Sequence, residues 1–279
     1  MTERGGLMRS GARWRPGRAL IFLALVAVTV VMLYPFWYMT VAAFRSFQQY
    51  ILGQGFSMAS WSLLFRTLPV MQELLNSTVV TLGAIAVILL ISTTGGYAFA
   101  KLRYRGAGVV FVVVLASMMV PMQSIIIPEY VNLANVGLIN QFTGAILVYA
   151  ALGGPFATFL MTTYFRGVPG ELVEAALVDG LGYTQIFVRI MLPMAVPAIV
   201  TIAVLQFIQV WDDLLVAMLF LQTPQVRTIT VGLATLDASR ILNIPVLMAG
   251  SLISALPAVI VYLIFQRYLI KGLTMGMGK

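Results

Sequence analysis

Residues 166–193 read Arg166-Gly-Val-Pro-Gly-Glu171-Leu-Val-Glu174-Ala-Ala-Leu-Val-Asp179-Gly180-Leu-Gly182-Tyr-Thr-Gln-Ile-Phe-Val-Arg189-Ile190-Met-Leu192-Pro193, a charged interruption between two long uncharged runs. Pro169 suits the first turn of a helix, and Glu171 and Glu174 complement the positive end of its dipole. Leu172, Ala175 and Ala176 fall at i, i+3 and i+4, a narrow apolar stripe of small side chains. Gly180 and Gly182 are expected to break that helix and permit a tight turn. A second short amphipathic helix should follow, with Phe187, Ile190 and Met191 on one face and Pro193 as its stop. Two short helices at an angle make a knob: its small residues let another protein's surface approach, and Glu174 offers a charge to pair. The competing reading is an interfacial helix pair resting on lipid headgroups. Two acidic residues on the first helix oppose it, because anionic lipid would repel them.

Outward from this loop, charge-free runs set the topology. Uncharged stretches cover 19–44, 74–100, 106–128, 130–165, 190–211 and 241–266. The fourth is too long for one span, and the polar, turn-like Asn132-Leu-Ala-Asn-Val-Gly137 suggests that only about 143–165 crosses. A helix needs about 20 apolar residues to cross the hydrocarbon, so six spans is the economical count. A β-barrel would need alternation in short segments, which these continuous runs lack. Of 279 residues, 61% are hydrophobic and 9% charged, against roughly 25% charged in a soluble domain. The sequence therefore predicts an all-α membrane protein.

Orientation follows from the basic residues. Thirteen of the 17 Lys and Arg fall in the N-terminal tail, the loops after spans two and four, and the C-terminal tail. Arg45, Arg66, Arg227 and Arg240 lie on the other side, so both termini are expected in the cytoplasm. The net charge of +8 is then a topology signal and not a sign of nucleic-acid binding. The first span is read as a retained signal anchor: its apolar run is too long for a signal peptide and no A-x-A site follows. Trp37 and Tyr38 fit an aromatic belt at its outer end. The expected organisation is a basic tail at 1–18, a six-helix domain at 19–271 that includes the loop at 167–193, and a tail at 272–279. The chain has no Cys and no His, which removes disulfides, thiol nucleophiles, haem, zinc and Ser-His chemistry. No metal site or catalytic residue is expected.

Glu174-Ala175-Ala176, then Gly180, Ile190 and Leu192-Pro193 resemble, at every fixed position, the EAA loop in permease subunits of binding-protein-dependent ABC importers. The similarity runs over nearly the whole chain and looks like the second permease of the maltose-type, sugar-importing branch. Gly96-Tyr97-Ala98-Phe99-Ala100-Lys101-Leu102-Arg103-Tyr104-Arg105-Gly106 resembles that family's exit from span two. Val120-Pro121 to Ile127-Pro128 resembles its span-three end, Gly137-Leu138-Ile139-Asn140 the turn after it, and Gln266-Arg267-Tyr268 with Lys271-Gly272-Leu273-Thr274 its tail. Trp211-Asp212-Asp213 stands where the family usually has Trp-Asn-Asp. Asp212 is one departure, and Glu129, where an apolar residue is common, is another.

The resemblance implies a type I ABC importer permease fold without catalysis of its own. The sequence agrees in that it contains no G-x-x-x-x-G-K-[ST] phosphate loop; no cofactor is expected in this chain, and ATP and Mg would be bound by a partner ATPase. Implied partners are a sister permease, two ABC ATPases, an extracytoplasmic substrate-binding protein, a sugar and membrane lipid, in a bacterial or archaeal cytoplasmic membrane. Glu174, Ala175, Ala176, Asp179, Gly180, Gly182, Leu192 and Pro193 would dock on the ATPase. The long outer loop, 222–245, would touch the binding protein, and the C-terminal tail would reach the ATPase pair.

Polar residues inside spans supply pathway candidates. Asp212 and Asp213 are expected about 27 Å beyond Pro193, near the outer interface, and carboxylates at such depth face a cavity or end the helix near water. Gln209 and Asp213, at i and i+4, should share a face. Gln123 lies in a Pro-bounded stretch suited to an irregular helix end. Sugars need amides, carboxylates and aromatic platforms, so Gln123, Tyr149, Gln206, Gln209, Trp211, Asp212 and Asp213 are the candidates; each is equally explained as a helix–helix hydrogen bond or belt residue. A self-sufficient channel or secondary transporter would want an inverted repeat, and the two halves show no obvious similarity. An intramembrane enzyme would want paired aspartates on two spans, whereas Asp212 and Asp213 adjoin on one.

Overall fold

The computed structural model describes residues 16–102, 104–237 and 243–275, with the side chains of 16–18, 237 and 270–275 outside that description. Arg4, Arg9, Arg13, Arg15, Arg103, Arg240 and the tail beyond 275 therefore lie outside the described residues. Those residues form α1 (Pro16–Ala43), α2 (Phe47–Leu52), α3 (Ala59–Thr67), α4 (Val70–Lys101), α5 (Ala107–Ser117), α6 (Met122–Asn135), α7 (Phe142–Gly167), α8 (Gly170–Val178), α9 (Tyr183–Ile186), a π turn (Phe187–Met191), α10 (Leu192–Met194), α11 (Val196–Trp211), α12 (Leu215–Phe220), α13 (Ile229–Asp237) and α14 (Ile244–Met275). No strand occurs among them, as expected where hydrocarbon leaves backbone groups no partner but the helix itself.

Among the described residues, four helices are long and apolar enough to cross a membrane: 19–43, 70–101, 142–167 and 244–269. Two further spans, expected over 106–128 and 190–211, are bent. α5 and α6 meet at 98° across a break at 118–121, where Pro121 cannot donate into the preceding turn. Asn132 to Asn135, expected as a turn, continue α6, and the turn is made at Val136 and Gly137, the latter with φ +72°. The second bent pair, Tyr183–Met194 and Val196–Trp211, turns by 72° at Ala195. Pro193 does not stop its helix. Leu192 N–H reaches back to the carbonyl of Phe187 in a π turn, and Pro193 sits at the start of the next short segment, where its missing N–H is tolerated.

The most extensive helix pair is α4 with α7. Their seam is made of small residues, the usual way for helices to approach closely without a hydrophobic drive from water. A Cβ on Gly96 would stand 2.6 Å from Met161 Cβ and 3.0 Å from the backbone of Met161 and Thr162, so the backbones themselves are in contact there. Gly153 of α7 is similarly filled, by Gln206 and Ile88. α11 packs against α4, α7 and α14, and α14 in turn carries α1. α1 and α5 present their apolar side chains outward: Leu20, Val31 and Val109 are 72%, 71% and 70% exposed, as suits contact with lipid or another membrane subunit.

Gly96→Ala is expected to lower the apparent Tm of the detergent-purified chain by several degrees. Overpacking against a fixed backbone costs about 1–3 kcal/mol, more than the ~1 kcal/mol gained in helix propensity. Gly154→Ala, where no atom lies within 4 Å of the added carbon, should be neutral or stabilising in the same thermal measurement.

Candidate functional site

One end of the α4–α7 pair carries the knob. α8 starts after Pro169, with Glu171 in its first turn, and buries Val173 and Ala176. These two make the inward stripe, in place of the Leu172, Ala175 and Ala176 combination read from spacing. Glu171, Glu174, Ala175 and Val178 lie at i, i+3, i+4 and i+7, and all are exposed. Val178 is 88% exposed. The stripe presents an aliphatic tip beside two carboxylates and a small residue.

The helix ends in a Schellman motif. Leu181 N–H bonds the carbonyl of Ala176 at 3.0 Å and Gly180 N–H that of Leu177 at 3.0 Å, with Gly180 at φ +84° and Asp179 just before it. Gly180 thus requires a left-handed backbone. Gly182, paired with it from the sequence, has φ −76° and no such requirement; its N–H donates to Gln185 Oε1 at 3.1 Å and opens α9. Ile186 and Met191 are fully buried while Phe187 and Ile190 are partly so, and they pack under the knob with Phe165, Val168 and Ala195. Leu192 is half-buried and Pro193 exposed as the chain runs on towards the bend.

α4 holds this assembly from beneath. Lys101 Nζ donates to the carbonyl of Val168 at 2.5 Å, and the Tyr97 hydroxyl donates to that of Tyr183 at 3.2 Å. Tyr97 also packs against Phe165 and Phe187, at 6.1 and 5.1 Å between ring centroids. A polar cavity of about 490 Å³ opens between the end of α4 and α8; Lys101, Glu174, Leu177 and Tyr183 line it.

At the opposite end the structure divides the pathway candidates. Tyr149, Gln206 and Trp211 are buried (5%, 1% and 3% exposed) and serve the packing. Gln206 fills the notch at Gly153, and Trp211 Nε1 donates to the carbonyl of Ser254 at 2.9 Å, tying α11 to α14. Asp213 does not share a face with Gln209, because α11 ends at Trp211 and the chain turns. Its Oδ1 instead accepts from the Tyr149 hydroxyl at 2.9 Å and from Val216 N–H at 2.8 Å, capping α12, while its carbonyl accepts from Thr230 Oγ1 at 3.1 Å. One residue thus joins α7, α12 and α13, a role that a spacing argument could not find. Gln123, Gln209 and Asp212 remain exposed. The neighbouring protein still removes enough water from Asp212 to push its carboxyl above the usual carboxylate range.

The described residues thus form a bent-span helical bundle with helices of membrane-crossing length and an acidic knob tied to its central helix pair. Residues 92–275 match the family of binding-protein-dependent transport system inner membrane components, and the chain belongs to it. It is a permease of the ABC transporter class and a multi-pass inner-membrane protein. It is 35% identical over 209 residues to the osmoprotective compounds uptake permease protein GgtD of Synechocystis sp., covering 75% of this chain and 70% of that one. It is also 35% identical over 201 residues to the arabinooligosaccharides transport system permease protein AraQ of Halalkalibacterium halodurans, covering 72% and 71%. The crystal structure of a bacterial ABC transporter that imports the acidic polysaccharide alginate contains a chain of the same fold, with a TM-score of 0.79 at 23% identity over 92% of this chain and 98% of that one.

Asp213→Ala should destabilise the purified protein more than Tyr149→Phe in thermal unfolding. The first change removes two hydrogen bonds to a carboxylate and the second only one, at about 1.5–3 kcal/mol each. Equal losses would mean that the Asp213 cap on α12 contributes nothing.

Proposed function

We propose that this chain is one permease of an ATP-driven importer for a sugar or oligosaccharide, with the knob end and both termini in the cytoplasm of a bacterial or archaeal cell. The observation that carries the reading is the exposed stripe Glu171, Glu174, Ala175 and Val178, fastened to the α4–α7 pair through Tyr97 and Lys101. Glu174 pairs with a basic group of an ABC ATPase, Ala175 and Ala176 keep the surface low, and Asp179 with Gly180 sets the turn that leads through Gly182 to Leu192 and Pro193. Two ATPase subunits, which bind ATP and Mg, close on nucleotide and pull the knobs of this chain and a sister permease together. A rigid α4–α7 pair turns that displacement into a tilt of the spans, a two-state transition biased from a distant site.

The name of AraQ supports a carbohydrate as substrate; that the chain is the second permease of a maltose-type importer rests on the sequence resemblance. Of the polar candidates, Gln209 and Asp212 are placed for a pathway at the interface with the sister subunit, since both are exposed on the end of α11; Gln123 is exposed on α6. The organisation into a basic tail at 1–18, a permease domain at 19–271 and a tail at 272–279 belongs to the same proposal.

Two tests follow. Glu174→Lys should abolish substrate uptake in cells, at least about 100-fold, with an unchanged amount of the chain in the membrane, because a like charge faces the ATPase's basic group. Uptake at the wild-type rate would sink the coupling role. Gln209→Ala should raise the KM for the transported sugar with ATP hydrolysis retained, whereas an unchanged KM would remove Gln209 from the pathway.

A further inference from the structure

The segment that joins α12 to α13 crosses the end of the bundle opposite the knob, and side chains from two other places hold its backbone. Asn140, in the turn before α7, has φ +58°; its N–H donates to the carbonyl of Phe220 at 2.8 Å. Its Oδ1 accepts from the N–H groups of Gln222 at 2.7 Å and Thr223 at 3.1 Å. From α4, Asn76 Nδ2 donates to the carbonyls of Gln225 at 3.0 Å and Arg227 at 2.9 Å, and Gln72 Nε2 donates to Gln225 at 3.0 Å. Ser77 Oγ accepts from Ile229 N–H at 2.9 Å. Arg227 Nε closes the loop on itself through the carbonyl of Gln222 at 2.9 Å.

Between these contacts Glu73, 1% exposed, lies against Gly232 of α13, and any side chain at 232 would overlap its carboxylate. Its Oε2 has no hydrogen-bond partner. The first two turns of α4 therefore receive the strap through a complementary notch as well as through hydrogen bonds. Five backbone groups between 222 and 229 are fixed in register by side chains of α4 and of the turn into α7. The same two helices hold the knob at their other end, through Lys101, Tyr97 and the direct run of α7 into α8. Gln222, Pro224 and Gln225 of the strap point to solvent.

We infer that Asn76 and Asn140 are positioning residues that clamp the strap 222–229 to the α4–α7 pair, so that a substrate-binding protein seated on the strap acts directly on the helices that carry the knob. This rests on the importer reading above. A loose strap would still be present and exposed, but the binding protein would have to order it before it could load α4. That ordering would appear as a higher concentration needed for stimulation, with ATP hydrolysis in its absence unaffected.

The test uses the assembled complex in lipid nanodiscs, titrated with its substrate-loaded binding protein. Asn140→Gly keeps the left-handed backbone and removes only the acceptor; Asn76→Ala removes the donor from α4. Both should speed amide exchange at residues 222–229 about tenfold and raise the half-maximal binding-protein concentration at least about fivefold, as expected for the loss of two hydrogen bonds. Basal ATP hydrolysis should stay within about twofold of wild type. Unchanged exchange, an unchanged half-maximal concentration, or equal loss of basal activity would each overturn the inference. If the wild-type complex itself is not stimulated by the binding protein, the importer reading fails and takes the inference with it; a stimulated wild type with indifferent variants sinks the clamp alone.

Discussion

The seam between α4 and α7 is the constraint on which the other elements depend. In hydrocarbon no water competes for apolar surface, so two long helices stay together only where their backbones can come into contact and their side chains interlock. Gly96 against Met161 and Gly153 against Ile88 supply that approach. Both helices are continuous across the bundle, at 32 and 26 residues, so whatever is fixed to one end is geometrically tied to the other. α11, by contrast, is bent from its preceding segment by 72°, and α6 from α5 by 98°. The molecule combines one pair of unbroken helices with two bent spans, a division suited to the proposed rigid-body transition.

Polar residues follow the same logic. Asn76, Ser77, Tyr97, Lys101 and Asp213 each bond a loop backbone or a helix end, Tyr149 donates to the Asp213 carboxylate, and none of these contacts pairs two fully charged side chains. Buried polar groups in a membrane protein are tolerated when they satisfy backbone that leaves the helical pattern, and these residues stand where the chain does so. The knob is the exception. Glu171 and Glu174 are exposed beside Val178, and among the described residues neither carboxylate has a hydrogen-bond or ion-pair partner, which supports the proposal that another subunit covers them.

Much of this was legible beforehand for physical reasons. Charge-free runs gave the spans because a charge in hydrocarbon is costly, and the pattern Glu174-Ala175-Ala176, Gly180, Leu192-Pro193 marked the knob because its turn chemistry is local. What escaped depended on partners distant in sequence. Spacing cannot distinguish Val173 from Leu172 as the inward residue until α4 is placed beneath the helix. A proline was expected to stop the helix at 193, yet the π turn before it relocated the break to Ala195. Tyr149, Trp211 and Asp213 have the composition of a sugar site, but Tyr149 and Asp213 bond each other and Trp211 bonds the carbonyl of Ser254. Gln72, Asn76 and Ser77 drew no notice, and Asn140 only as part of a turn, because their partners are backbone groups some 80 to 150 residues away.

The absence of cysteine allows the central claim, that the knob is a cytoplasmic surface covered by an ATPase, to be read with one thiol. Val178→Cys would be labelled with a membrane-impermeant maleimide in vesicles of known orientation, with and without the ATPase subunits. The account predicts labelling only when the cytoplasmic face is accessible, and strong protection once the ATPase is bound. Labelling from the outer face, or equal labelling with and without the ATPase, would contradict it.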